Sequence, residues 1–222
     1  MLCILIALIA RFVSIVIPLT LLKSFYTLYT HVMINKDLFA FLKVLASNPR
    51  TMGAILPSSK QLAKEMVTHV TRNLNNVIVE LGAGTGVITE RLIQSGIHPS
   101  QIIVIECAPE LAKQLQERFP TVKIITGDAM NLANLLAYEK RTINTIISSL
   151  PLRSLPKTTT QSILKQIKKM LPKEGRYIQY TYSFMRNPFY ALRNYELIAS
   201  KRIWMNLPPA RVDVWASLLA KQ

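Results

Sequence analysis

Residues 77–90 read VIVELGAGTGVITE. An apolar run ends beside a single acid, Glu80. Gly82, Gly84 and Gly86 follow among small residues, and an apolar helical pattern then resumes. Glycine lets the backbone turn tightly and lets a ligand approach main-chain N–H groups. The stretch therefore predicts a strand, a glycine turn and a helix, the layout of a nucleotide-binding corner. A dinucleotide corner has the spacing G-x-G-x-x-G, and here the third glycine falls one residue early. An acid two residues before the first glycine would also repel a pyrophosphate. The corner better suits a ligand that carries positive charge.

The chain has 222 residues, enough for one α/β domain and a short appendage. Half of them are hydrophobic, which excludes a disordered protein. The net charge of +15 is unevenly placed. Residues 1–139 carry 12 Lys/Arg against 9 Asp/Glu, and residues 140–222 carry 15 against 3. Such an excess draws a polyanion, either nucleic acid or an anionic lipid surface. Cys3 and Cys107 are too few for a disulfide scaffold, and the scattered His31, His69 and His98 suggest no metal site.

Residues 1–22, MLCILIALIARFVSIVIPLTLL, are apolar apart from Arg11. A bilayer-spanning helix needs about 20 such residues, and a central Arg costs roughly 2.5–3.5 kcal/mol. No basic stretch precedes the run and no A-x-A site follows it, which argues against a signal peptide. Residues 1–34 are expected to anchor the chain or to lie in the interface, broken at Pro18. Met33 would also serve as a natural start, so the leader is a candidate extension. Residues 36–47 form a second membrane-facing candidate, an apolar face flanked by Lys36 and Lys43. Lys23, Lys36 and the basic body favour the cytoplasmic face of the membrane for the C-terminal side, peripheral or anchored by residues 1–22.

Alternating patterns set the rest of the course. Ser58 and Gln61 make a capping box for a helix running to about Asn73. Strands are predicted at 77–81, 102–106, 122–126, 143–150 and 176–182, with helices at about 86–95, from Pro109, and at 157–170. Residues 196–206 and 210–218, joined across Leu207-Pro208-Pro209, read as a terminal strand pair, one of which inserts antiparallel at the sheet edge. The fold class is α/β: a doubly wound, mostly parallel seven-stranded sheet with a helical N-terminal extension before a domain over 35–222. Ligands of such sheets bind at the carboxyl ends of the strands. Glu80, Glu106, Asp128 and Ser148–Pro151 all fall at such ends.

Glu106 lies 20 residues past Gly86, where a carboxylate can accept from both ribose hydroxyls. Asp128 can accept from an adenine amine. Cys107 and Ala129, which follow them, join the cofactor-binding set with Glu80, Gly82, Gly84 and Gly86. S-adenosylmethionine, with its ammonium and sulfonium, fits the acid before the turn.

Residues 76–182 resemble the class I S-adenosylmethionine-dependent methyltransferases, whose first motif looks like Glu80-Leu81-Gly82-Ala83-Gly84-Thr85-Gly86 and whose ribose and adenine acids match Glu106 and Asp128. The flanks Asn48–Ser59, Ser149–Pro156 and Asn206–Ala210 look like those of bacterial phospholipid N-methyltransferases. That resemblance implies a Rossmann-like fold and methylation of the phosphatidylethanolamine amine, up to three times, toward phosphatidylcholine (EC 2.1.1 class). The adenine dimethylases of ribosomal RNA, the alternative, place an Asn-Leu-Pro-Tyr-like loop where this chain has Ser149-Leu150-Pro151-Leu152. A flipped base needs the missing stacking face and acceptor. The expected partners are thus a phospholipid substrate and an anionic membrane surface, with no metal and no nucleic acid. Backbone and hydroxyl groups of Ser149 and Leu150 are expected to hold the amine. Tyr180 and Tyr182 face the growing cation, and Arg153 takes the lipid phosphate. Arg50 and Thr51 are expected, on the resemblance, to close over the cofactor. The oligomeric state is not specified.

Overall fold

The computed structural model describes residues 57–153, 155–182, 195–204 and 209–217. All belong to the compact unit Leu42–Gln222; the unit Met1–Phe41 lies outside the described residues. So do the segment 36–47, Arg50, Thr51 and Asn206–Pro208.

In chain order the elements are α1 (Pro57–Thr68), β1 (Asn76–Leu81), α2 (Val87–Gln94), β2 (Ile102–Glu106), α3 (Pro109–Arg118) and β3 (Lys123–Thr126). There follow α4 (Leu132–Leu135), β4 (Thr142–Ser148), α5 (Lys157–Met170), β5 (Arg176–Thr181), β6 (Tyr195–Ile203) and β7 (Ala210–Ser217). Single 3₁₀ turns precede β2 and α4. Pro109 occupies the first turn of α3, where its missing N–H is no loss.

One sheet holds all seven strands in the order β3-β2-β1-β4-β5-β7-β6. β1 to β5 run parallel, and β7 runs antiparallel to both of its neighbours. The chain winds outward from β1 to β3 and then returns past β1 to β4. The strand order therefore reverses between β1 and β4, which opens a crevice at their carboxyl ends. β1 and β2 are buried almost end to end, as strands covered on both faces must be. On one face Ile78, Ile102, Val104 and Ile178 pack with Met66 of α1, Leu92 of α2 and Leu115 of α3. On the other, Val79, Leu81, Ile103 and Ile146 pack with Leu132 of α4 and Ile163 and Ile167 of α5.

Several expectations are corrected. α1 stops at Thr68 rather than near Asn73, and its helical span already includes Ser58, so Ser58 is not its cap. β4 ends at Ser148, which leaves Ser149 and Leu150 in the loop, and β5 ends at Thr181, which leaves Tyr182 beyond it. The inserted antiparallel strand is not at the edge. β7 lies between β5 and β6 because ARVDVWAS is buried nearly throughout, whereas β6 is half exposed and carries Lys201 and Arg202. Charged residues on an edge strand discourage further pairing.

Candidate active site

The glycine turn is tied to the strand ends around it. The Gly82 N–H donates to the Ile105 carbonyl at 2.9 Å, and the Ser149 N–H donates to the Leu81 carbonyl at 2.9 Å. Gly82, Gly84 and Gly86 have φ of 71°, 55° and 82°, in the left-handed region that favours glycine. Their surroundings differ. A Cβ on Gly82 would meet the Leu150 side chain at 2.8 Å, and one on Gly86 would meet Phe119 and Leu115 at 2.6 and 2.7 Å. A Cβ on Gly84 would meet nothing within 4 Å, so this backbone faces open space where a ligand can approach. Gly86 caps α2 without a side-chain bond to the first amides of that helix.

Glu106 is buried at the end of β2. One carboxylate oxygen accepts the Gly84 N–H at 3.0 Å and the other accepts the Ala108 N–H at 3.1 Å. A carboxylate has about four acceptor positions, so capacity remains for a ligand's hydroxyls. The same residue thus braces the turn and can hold the ribose. Cys107 is exposed beside it, and its Sγ lies 3.7 Å from the Glu106 carboxylate. Burial and the neighbouring Glu106 charge push the thiol pKa up. Asp128, after β3, accepts the Met130 N–H at 2.8 Å and so caps the following turn, while its side chain stays exposed. Ala129, next in the chain, is buried.

Glu80 is fully buried. Its Oε2 accepts from the Thr89 hydroxyl of α2 at 2.7 Å, and its Oε1 has no hydrogen-bond partner. Burial, partly offset by the Thr89 bond, pushes its pKa up to about 7. An unsatisfied carboxylate oxygen at the foot of a bare-backbone turn fits a ligand bearing an ammonium, since a nearby cation favours the charged form. The chain's own residues thus match a cofactor of S-adenosylmethionine type: cationic at one end, with a ribose at the other.

The fourth-strand loop closes the crevice. Leu150 packs over Gly82, so its side chain covers the turn. Its carbonyl accepts from the Leu152 N–H at 2.9 Å and from Gln179 Nε2 at 3.0 Å. The expectation that the Leu150 carbonyl receives an amine therefore meets an acceptor already doubly engaged. Ser149 keeps a half-buried hydroxyl with no partner among the described residues. Tyr180 and Tyr182 form an edge-to-face pair, centroids 5.4 Å apart. Burial, reinforced by Tyr182, raises the Tyr180 pKa well above the usual tyrosine value, so the ring stays neutral. Arg153 is exposed on the loop.

Four residues of this end were not singled out in the sequence. Thr89 satisfies Glu80, and Gln179 holds the loop. Arg118 donates to the Thr85 carbonyl and to Glu90, each at 2.7 Å, and so clamps the glycine turn to α2. Asp213 forms a buried ion pair with Arg211 at 2.7 Å. Of these, only the last was legible locally: two opposite charges at i and i+2 on one strand share a face. Among the described residues no cluster of three metal-ligating side chains occurs.

Comparison with known proteins agrees with this geometry. Residues 78–175 match the family model described as "Methyltransferase domain". The chain is 32% identical over 186 residues to the ornithine lipid N-methyltransferase of Singulisphaera acidiphila, covering 79% of this chain and 93% of that protein. Among solved structures, it resembles the N-methyltransferase NodS of Bradyrhizobium japonicum in complex with S-adenosyl-L-homocysteine (TM-score 0.62, 12% identity, 81% of this chain and 97% of that one). It also resembles a TehB-like methyltransferase from Corynebacterium glutamicum (TM-score 0.60, 16% identity, 80% and 98%). The likeness to these two structures is one of fold. A glycine turn after a buried acid, a buried carboxylate at the end of β2 and a 32% identical relative matched over nearly its whole length together place the chain: it belongs to the class I S-adenosylmethionine-dependent methyltransferases.

Proposed function

We propose that the protein methylates the amine of a membrane lipid, phosphatidylethanolamine in the first place, at the cytoplasmic face of the membrane. The observation that carries this reading is the relative that methylates ornithine lipid, matched over 93% of its length. Ornithine lipid and phosphatidylethanolamine both present an amine at the bilayer surface. The loop Ser149-Leu150-Pro151-Leu152 supports it, because it offers no aromatic face for a base and no amide side chain to receive a base amine. The net charge of +15 supports attraction to anionic lipid. Among the described residues no helix is long and apolar enough to cross a membrane. Attachment is assigned to the apolar run 1–22 and to the segment 36–47 on their sequence.

The bound cofactor supplies an activated methyl group. The protein's part is to align the amine with it and to keep water away. Ser149 offers a hydroxyl to an amine N–H. The rings of Tyr180 and Tyr182 face the ammonium that forms, a contact worth about 0.5–2 kcal/mol. Arg153 takes the lipid phosphate. The carboxylates at this end serve the fold or the cofactor side: Glu106 braces two amides, Asp128 caps toward Met130, Asp213 pairs with Arg211 and Ser200, and Glu80, with one oxygen on Thr89, is fully buried. The amine proton therefore leaves to water.

The test is label transfer. The full chain is incubated with methyl-labelled cofactor and vesicles holding phosphatidylethanolamine, ornithine lipid and phosphatidylglycerol, and in parallel with total RNA. Label in an aminolipid supports the reading, and its distribution gives the preferred lipid. Label in RNA with none in lipid overturns it.

A further inference from the structure

Four polar residues form a single row across the carboxyl end of the sheet. Ser148 on β4 is paired with Gln179 on β5, Gln179 with Asp213 on β7, and Asp213 with Ser200 on β6. Ser148, Gln179 and Asp213 are 0%, 2% and 1% exposed. The adjacent positions Ile147, Ile178 and Val214 are apolar and equally buried. A buried polar group left unpaired costs about 1–3 kcal/mol, and an apolar side chain in its place carries no such risk. The row therefore calls for a reason beyond packing.

Asp213 is accounted for by Arg211 and by the Ser200 hydroxyl at 2.7 Å. Ser148 and Gln179 instead reach out of the sheet to one peptide group each side of Leu150. The Ser148 hydroxyl accepts the Leu150 N–H at 3.3 Å, and Gln179 Nε2 donates to the Leu150 carbonyl at 3.0 Å. The Gln179 amide is itself oriented. Its oxygen accepts from the buried Tyr177 hydroxyl at 2.7 Å, and its nitrogen also donates to the Tyr180 carbonyl at 2.6 Å. Turned over, the amide would set its oxygen against two carbonyl oxygens, so only one orientation is satisfied. The result is a chain from Tyr177 through Gln179 to the loop, across 29 residues of sequence.

We infer that Gln179 is a positioning residue for methyl transfer: it pins Leu150, and thereby sets the place of Ser149 against the reacting methyl. This rests on the reading of the Ser148–Leu150 loop as the amine site. Ser149 then lies between its own N–H, held by the Leu81 carbonyl, and Leu150, held at its N–H by Ser148 and at its carbonyl by Gln179. Reaction geometry is unforgiving, with an ångström of misplacement worth about a hundredfold in rate.

The experiment compares wild type with Gln179→Leu, which removes every bond, and Gln179→Glu, which keeps the shape and the Tyr177 partner should the first variant fold poorly. Two readouts are taken on the full chain. The first is the rate of tryptic cleavage after the exposed Arg153, a measure of loop freedom that needs no activity. The second is kcat for aminolipid vesicles beside the affinity for S-adenosylhomocysteine. Gln179→Leu is expected to speed cleavage and to lower kcat by about tenfold to a hundredfold, with cofactor affinity unchanged. In Gln179→Glu a buried carboxyl has a raised pKa, and its protonated form can again donate to the Leu150 carbonyl. Its activity relative to wild type should therefore recover as pH falls from about 9 to about 6. Unchanged cleavage and kcat, or a kcat loss matched by an equal loss of cofactor affinity, overturns the inference. If wild type labels no aminolipid, the amine-site reading falls, and the cleavage rate alone still decides whether Gln179 anchors the loop.

Discussion

Glu106 accepts the backbone N–H of Gly84, 22 residues away, at 3.0 Å. The acid expected to grip the ribose also holds the middle glycine of the turn. The two halves of the cofactor site are therefore one mechanical unit, and damage to either is felt in both.

Glu106→Ala removes the ribose acceptor and leaves the Gly84 and Ala108 amides without their partner. Hydrogen bonds to a charged group are worth about 1.5–3 kcal/mol, and each 1.4 kcal/mol is tenfold in affinity. Calorimetry should show S-adenosylhomocysteine binding weakened by at least about tenfold, with Glu106→Gln milder. Unchanged affinity would contradict the assignment.

The Glu80 pKa is raised from 4.5 to about 7. Between those values the folded protein holds a proton that the unfolded chain has released, so this residue makes stability fall as pH rises across that window and level off above it. The cost above pH 7 is on the order of 3 kcal/mol. Glu80→Gln should therefore raise the melting temperature at pH 8 relative to pH 5. A cofactor ammonium nearby would pull the pKa back down, so binding releases a proton and tightens as pH rises through 7. Binding enthalpies in buffers of different ionisation heat check this, and an absence of proton release near pH 6.5 would count against it.

The three glycines should separate under substitution. Gly84→Ala places its methyl in open space, at a φ of 55°, so stability should drop by only about 1–2 kcal/mol while cofactor binding is lost. Gly86→Ala drives a methyl into Phe119 and Leu115 at the same backbone penalty, and overpacking adds about 1–3 kcal/mol. Gly82→Ala displaces Leu150 and so disturbs the substrate loop. Melting curves should rank Gly86→Ala lowest. A Gly84→Ala protein that binds cofactor normally would show that the open space is not the site.

Cys107 reports on the cofactor without any substrate. Burial and the Glu106 charge raise its thiol pKa, so the reactive thiolate is scarce near neutrality and alkylation should run slower than that of a free cysteine at the same pH. Saturating S-adenosylhomocysteine should slow labelling of the Cys107 peptide several-fold, read by mass spectrometry. Equal rates with and without it would place the cofactor elsewhere.

Much of this architecture is legible in the chain itself, because its signals are local. VIVELGAGTG, IIVIE and VKIIT each end within a few residues of an acid or glycine, and backbone preference and burial periodicity act over just that range. The corner, the buried acid that ends β2 and the parallel core follow from stretches of about ten residues. Residue type at a strand end is enough to predict which ligand chemistry fits.

What tertiary structure alone decided involves partners far apart in sequence. Both terminal strands carry charged residues, so neither sequence says which is enclosed; pairing with β5 on one side and β6 on the other encloses β7, and its Arg211 and Asp213 then pair with each other. That Glu80 would sit sealed beside Thr89, or that the Leu150 carbonyl would already be occupied by Gln179, depends on how β4, β5 and α2 are set against one another. Pattern reading finds which residues are buried. Which buried polar atom meets which is set by packing across the sheet, and here that packing joined the Leu150 carbonyl to Gln179.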